Sequence, residues 1–117
     1  MDVIQKIESA LDGVIPWFTN TPEFADGQAP ERYVIVNIAE KGGTYSESHH
    51  RTTEYFVSLN VYTPRLDFPL YERLKSAMCG EGFVYDGGGN VGDDKIFPYD
   101  THYYLDFTGV IESGGEL

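Results

Sequence analysis

The three histidines are the residues whose chemistry first suggests a metal site. His49 and His50 are adjacent, and His102 stands far along the chain. A zinc site needs three or four convergent ligands. Adjacent side chains on an extended segment point in opposite directions, so His49 and His50 do not easily reach one ion together. The spacing favours a solvated loop or a contact surface, and we expect no metal ligands.

A glycine-rich run at residues 87–92 has the composition of a phosphate-binding loop but not its pattern. It lacks the Gly-Lys-Ser/Thr ending of such loops, and the carboxylates of Asp93 and Asp94 beside it would repel phosphate. Asp93, Asp94 and Asp100 do not have the spacing of a dedicated calcium loop. We therefore predict a flexible, unpacked hairpin tip at residues 87–94 and no cofactor.

No residue pattern points to catalysis. Carboxylates are abundant, but nothing singles out a pair for hydrolysis. Cys79 ends an apolar helical stretch, which predicts a buried, inert thiol and not a nucleophile. It is the only cysteine and cannot form an internal disulfide, which favours folding inside a cell. We predict that the protein is not an enzyme.

The chain is strongly acidic, with 19 Asp and Glu against 8 Lys and Arg and a formal net charge of -11 at pH 7. Such a surface repels phosphate backbones, which argues against sequence-reading nucleic-acid binding. Two interpretations of the excess stay open: solubility, or a surface that lies beside DNA or another acidic wall without adhering. The N-terminus lacks the features of a signal peptide, and no stretch approaches the roughly 20 apolar residues of a membrane span, so we expect a soluble protein.

Aromatic residues are frequent enough to line a ligand cleft or to pack in the core and on the faces of a sheet. Those considered for a cleft are Trp17, Phe18, Tyr33, Tyr55, Tyr62, Tyr103 and Tyr104. Packing is the simpler interpretation. Subunit contacts are the main alternative, because Tyr and Trp are enriched at protein interfaces.

Two long alternating segments carry several of these residues and predict the main strands of the fold. In residues 53–63 and 102–112, large apolar side chains recur at alternate positions. They are Tyr55, Val57, Leu59 and Val61 in the first segment, and Tyr103, Leu105, Phe107 and Ile111 in the second. Side chains on a strand point to opposite faces with period 2, so each segment predicts a strand with one buried face. Residues 31–39 are almost continuously apolar, which predicts a strand that is covered on both faces or lies inside the sheet.

Two further segments have the apolar spacing of a helix. Residues 3–11 have Asp2 as a candidate N-cap and Gly13 as a terminating glycine, and residues 69–79 place Pro69 in the first turn. The order α, β, β, α, β, β spans one domain, residues 1–117, with residues 113–117 expected to fray. This order predicts an α+β fold: an antiparallel or mixed β-sheet with two helices packed on one face, and long loops.

The polar connection at residues 41–51 is too long for a tight turn. It predicts either a projecting β-arm or a mobile loop before the next strand. Each long strand reaches roughly 30 Å, further than the core that a three-turn helix covers. Overhanging strands leave hydrogen-bonding edges open, and such edges call for a partner.

Several segments share their pattern and order with a known group of proteins. They are Val14-Ile15-Pro16-Trp17-Phe18, residues 29–36, 55–63, 71–78, Gly82-Phe83 and residues 103–110. In these the chain resembles the small tail-completion and tail-terminator proteins of long-tailed bacteriophages, found also in prophages and related contractile or gene-transfer particles. The resemblance covers nearly the whole chain and is one of element order, without a diagnostic residue.

The resemblance implies a homo-oligomeric ring, commonly a hexamer, at the head-proximal end of the tail tube. The ring would end tube polymerisation and join tail to head. Its implied partners are further copies of the chain, the tail-tube protein and the head-tail connector protein, in the tail or neck of the virion and in the host cytoplasm during assembly. DNA would pass through without sequence-specific binding, and the acidic surplus would suit that lumen.

Within this interpretation, subunit contacts are assigned to the polar connection and the strand that it feeds. The residues are Tyr45, His49, His50, Arg51 and Tyr55. Contacts with the next ring are assigned to Asn90, Asp93 and Asp94. A second hypothesis is an acidic inhibitor or immunity-type module that masks a basic partner, and a third is a small hydrolase or a metal-dependent enzyme.

Overall fold

The fold is built on one five-stranded mixed sheet with the strand order β1-β2-β3-β5-β4. The computed structural model describes residues 2–24, 30–45, 51–91 and 101–113. Its elements are α1 (Val3–Leu11), β1 (Trp17–Phe18), β2 (Tyr33–Tyr45), β3 (Arg51–Thr63), α2 (Phe68–Gly80), β4 (Val84–Asn90) and β5 (Thr101–Ser113). The predicted α+β class is confirmed, and the predicted order of elements gains one two-residue strand, β1.

Helix α1 begins and ends where its local sequence predicts. An oxygen of Asp2 accepts a hydrogen bond from the Gln5 amide at 2.8 Å, and the Gln5 side chain accepts one from the Asp2 amide at 2.8 Å. This reciprocal pair satisfies two amides that a helix start leaves unpaired. Gly13 follows the helix with a φ of 79°, a conformation that favours glycine. The face bearing Ile7 and Leu11 is fully buried.

Helix α2 is capped by Asp67, whose side chain accepts a hydrogen bond from the Leu70 amide at 3.2 Å. Pro69 lies in the first turn, where a missing N–H costs no helical hydrogen bond. Leu70, Leu74 and Met78 recur at four-residue spacing and are buried.

The prediction of a buried thiol at Cys79 is wrong, because Cys79 is exposed. Successive helical residues are rotated by about 100° around the axis. Cys79 follows the buried Met78 and is therefore turned away from the stripe that faces the sheet. Its place at the end of an apolar stretch did not determine which side it occupies.

Both helices pack on the same face of the sheet, and the main core lies between the helices and the sheet. The predicted alternation is confirmed there: Val57, Leu59 and Val61 of β3 and Leu105 and Phe107 of β5 are buried in this core. Because the two strands pair in continuous register from Thr63 opposite Thr101 to Arg51 opposite Ser113, the two apolar sets lie side by side.

The first part of β2 is buried on both faces, as its continuous apolar sequence predicts. Val34 and Val36 face the helices, whereas Tyr33 and Ile35 belong to a second small cluster on the other face. Phe18 and Phe24 pack against that second cluster, with ring centroids 6.0 and 5.6 Å from the Tyr33 ring. The connection after β1 therefore covers one end of this face.

The prediction of an unpacked glycine-rich tip is wrong for Gly87, Gly88 and Gly89, which lie inside β4 and pair with β5. A Cβ at Gly88 would lie 2.5 Å from the carbonyl oxygen of Tyr104 and 2.8 Å from the Tyr85 hydroxyl. Close approach of two strands, and not flexibility, accounts for this glycine. Residues 92–94 of the predicted tip lie outside the described residues.

Strands β2 and β3 stay paired up to the last described residues on each side of the polar connection, so the pairing follows the first of the two alternatives, a β-arm. Gly42 to Tyr45 pair with Glu54 to Arg51, after a bulge between Glu40 and Gly42. Residues 46–50 and 114–117 lie outside the described residues, whereas Ser113 belongs to β5 and not to a frayed tail. Among the helices that the structure describes, none is long and apolar enough to cross a membrane.

Candidate functional site: the open edges and the uncovered face of the sheet

Strand β2 has an outer edge that β1 covers only at its beginning. Strand β1 pairs with Val34 and Ile35, and the Val34 amide donates a hydrogen bond to the carbonyl oxygen of Pro16 at 2.9 Å. Backbone groups of a strand alternate in direction, so those of Val36 and Ile38 also point to this outer side. Within the described ranges, no strand pairs with β2 there beyond Ile35.

Strand β5 has a second open edge, on the opposite side of the sheet. Strand β4 pairs with it from Tyr103 to Thr108, and His102 accepts a hydrogen bond from the Val91 amide at 2.8 Å. The same alternation points the backbone of Val110 away from β3. Residues 109–113 pair with β3 in unbroken register, but no described strand lies on their outer side.

The two open edges form the two sides of a three-stranded arm. The arm consists of residues 41–45, 51–55 and 109–113. Lys41 forms a salt bridge with Glu54, with 3.1 Å between Nζ and Oε1. Both side chains are nearly half exposed, so this pair contributes little to stability. At the base of the arm, Phe83 packs against Gly109 and closes the core.

The predicted subunit-contact residues are only partly brought together. Tyr45 and Arg51 are cross-strand partners at the end of the described arm, and Arg51 also lies opposite Ser113. Tyr55 lies nearer the body and is partly buried, packed against the main core. His49 and His50 lie outside the described residues.

Of the predicted contacts with a next ring, Asn90 is exposed at the end of β4, opposite Tyr103. Asp93 and Asp94 lie outside the described residues. The sequence predicted open edges on both long strands. This is wrong for β3, which lies between β2 and β5 and pairs with both, whereas β5 has an open edge at residues 109–113. The lengths indicated this edge: the alternating segment at residues 102–112 is far longer than the strand predicted before it, so that strand could pair with only part of it.

Beyond its aromatic end, the face of the sheet opposite the helices combines acidic and hydroxyl side chains with the apolar Phe56, Val84 and Val110. Ser58 donates a hydrogen bond to Asp106 at 2.6 Å, and Thr108 donates one to Asp86 at 2.6 Å. These hydroxyls stabilise the carboxylates on the sheet surface. Among described residues, no group of three or more His, Cys, Asp or Glu is placed to hold a metal ion.

His102 belongs to the aromatic end of this face. Its ring stacks on Tyr62 at 4.5 Å, and Tyr62 stacks on Tyr33 at 5.1 Å. Its Nε2 lies 2.8 Å from Oδ1 of Asn60, within hydrogen-bond distance. The imidazole is 5% exposed, and the role shown for it is packing and hydrogen bonding within the sheet.

The aromatic residues considered for a ligand cleft are divided between the two faces of the sheet. Trp17, Tyr55 and Tyr103 pack against the core under the helices, whereas Phe18 packs with Tyr33 and Tyr62 on the opposite face. Alternation along the strands separates them, so these side chains do not converge on one cleft.

Tyr85 is the one described group whose pKa is clearly perturbed. Burial raises its pKa above the ordinary value of 10.0, and the nearby Tyr103, Glu72, Tyr104 and Asp106 raise it further. The Lys75 ammonium lies 4.4 Å from the centre of its ring. A raised pKa keeps the phenol neutral near pH 7, which suits packing and gives no general base.

The concave regions of the described surface are shallow and are not lined by convergent reactive groups. The strand end beside α2 has a cavity of about 340 Å³, where Arg32 forms a 3.0 Å ion pair with Asp67.

Comparison of the sequence with protein-family models gives no match, and comparison with curated proteins gives none. The features of the described residues that fit a partner are therefore the open edges and the uncovered face.

Proposed function

We propose that this protein is a structural assembly protein of the tail-terminator type. It forms a ring at the head-proximal end of a phage or prophage-like tail tube, ends tube polymerisation and joins tail to head. The tail assignment rests on the resemblance in element order, and the observation that supports assembly is the three-stranded arm with an open edge on each side. Strands with unpaired edges are templates for pairing with another chain.

The dimensions of the molecule support assembly by the arm. Strands β2, β3 and β5 have 13 residues each, which is about 43 Å of extended chain, whereas the 13 residues of α2 span about 20 Å. The described residues extend over 53 × 28 × 23 Å. Tyr55 and Ile111 of the arm still pack against the main core and Thr53 is buried, so only the outer part of the arm passes beyond the helices. There, one neighbouring subunit can reach the edge of β2 and another the edge of β5.

The charge of the uncovered face supports a lumen through which DNA slides. Glu54, Asp86 and Asp106 lie on this face, and Lys41, which reaches Glu54, is the one cation found there among strand residues with described side chains. An acidic wall does not gain the phosphate contacts that supply most non-specific DNA affinity. A ring whose lumen proved basic would contradict this part of the proposal.

The experiment is to measure the mass of the purified protein by light scattering over a range of concentrations, and to image it by negative-stain electron microscopy. We expect a discrete ring of several subunits, or oligomers that grow with concentration. A strict monomer that binds a basic protein would refute the ring and support the inhibitor hypothesis.

Deletion of residues 43–50 tests the role of the arm. Gly42 lies opposite Glu54, so the deletion leaves residues 51–53 as a three-residue connection, a common hairpin loop. We expect a folded monomer that no longer closes a ring. Full rings from this variant would show that the arm is not the subunit contact.

A further inference from the structure

The two open edges of the arm run in the same direction, and this determines how copies can join. Strand β2 is antiparallel to β3, and β3 is antiparallel to β5, so β2 and β5 are parallel to each other. A rotation about an axis along the strands preserves their direction. In a ring of this kind, β5 of one copy therefore meets β2 of the next copy as a parallel neighbour.

The other long edge of the described sheet is poorly suited to pairing. Strand β4 has a bulge between Tyr85 and Gly87, and Gly87 has a φ of 134°. This bulge lies within β4, and bulges and charges such as that of Asp86 discourage edge pairing. The bulge of β2 lies before Gly42, and residues 42–45 beyond it pair with β3 in regular register. The outer edge of β5 has an unbroken register at residues 109–113, with the β-branched Val110 49% exposed.

We infer that residues 109–113 of β5 pair in parallel with residues 42–45 of β2 in the next copy. This inference rests on the proposed ring and names the contact that closes it. Both segments lie at the same height in the sheet, since Glu54 is opposite Gly42 on one side and opposite Val110 on the other. A second copy therefore supplies a complementary edge without any shift along the strands.

The contact is head-to-tail, because each copy gives one edge and accepts the other. Such contacts close into rings when the rotation closes. Pairing of β2 with β2 of a second copy would instead be antiparallel, would stop at a dimer and would leave both β5 edges open. Each copy has a net charge of -11, so copies repel one another, and added salt that screens this repulsion should favour assembly.

The variant Val110→Pro tests the edge directly. The Val110 N–H points away from β3, so proline removes a donor from the open edge without breaking the ladder to β3. Val110→Thr is the matched control, because it keeps the N–H and a β-branched side chain. We expect Val110→Thr to assemble like the original protein, and Val110→Pro to need at least about tenfold higher concentration. Circular dichroism and the unfolding temperature of the monomer verify that both variants fold.

Cysteine cross-linking tests which edges meet. In a Cys79→Ser background, Val110→Cys and Lys41→Cys are made as separate proteins with tags of different length, mixed and oxidised. We expect disulfides between the two variants and little cross-linking of either variant alone. Lys41→Cys dimers forming as readily as mixed dimers would overturn the inference in favour of a two-fold contact.

Different results would overturn the ring proposal and the inferred β5–β2 contact. Rings from Val110→Pro at the original concentration would overturn the β5–β2 contact and leave the ring proposal standing. A protein that is monomeric at every concentration and salt would overturn the ring itself.

Discussion

Gly109 lies where the core ends and the arm begins, and Gly109→Ala should destabilise the fold measurably. A Cβ at this position would lie 2.5 Å from Cε1 and 2.6 Å from Cδ1 of Phe83. Phe83 is 3% exposed, so its ring cannot move aside into solvent. Overpacking of this kind costs about 1–3 kcal/mol, and the reduced freedom of the unfolded chain returns about 0.5–1 kcal/mol.

With an overpacking cost of about 2 kcal/mol, the middle of that range, the expected net loss is about 1–1.5 kcal/mol in the free energy of unfolding, or roughly 4–6 °C in Tm for a domain of this size. Urea unfolding followed by the fluorescence of Trp17, the only tryptophan, measures it. Gly80→Ala is the matched control, since a Cβ at Gly80 in the last turn of α2 meets nothing within 4 Å. That change should leave stability equal or slightly higher.

A double-mutant cycle decides whether the Phe83 ring is the cause. Phe83→Leu should relieve the contact with the added methyl group. The double variant should therefore lose about 1 kcal/mol less free energy of unfolding than the two single variants lose together. A Gly109→Ala protein as stable as the original would refute the packing at the base of the arm. Additive losses in the cycle would show that Phe83 is not the residue that the added methyl group meets.

Two further predictions concern α2. Asp67→Ala should lower the free energy of unfolding by about 1–2 kcal/mol, because it removes the N-cap of α2 and the partner of Arg32. Asp67→Asn, which keeps a capping oxygen, should lose less in urea unfolding, and equal losses would contradict the capping role. Cys79 should react fully with a thiol reagent in the folded protein, since it is exposed. Reaction only in denaturant would contradict its position on the helix.

Local sequence was sufficient wherever one element's own residues decided the outcome. The capping pair of Asp2 and Gln5, the positive φ of Gly13 and the place of Pro69 at the start of α2 all follow from neighbouring residues. The same holds for the buried face of β3, because period-2 alternation alone separates its apolar from its polar side chains.

Predictions were wrong where a distant segment decided the outcome. Gly88 has the composition of a loop, yet it is a strand residue because the Tyr104 backbone of β5 approaches too closely for any Cβ. Cys79 follows an apolar stretch, yet the contact of α2 with the sheet leaves it on the exposed side. Composition describes neither the partner strand nor the contact face.

The candidate site shows the same division. Alternation in the sequence determined that two long strands each have one buried face, and their length already indicated that they pass beyond the core. The tertiary structure decided which strands are neighbours, and therefore that the open edges belong to β2 beyond Ile35 and to β5 beyond Thr108. The physical reason is that the order of side chains within one strand determines which of its faces is buried. Whether that strand has an open edge depends instead on whether another strand, distant in the sequence, pairs with its backbone.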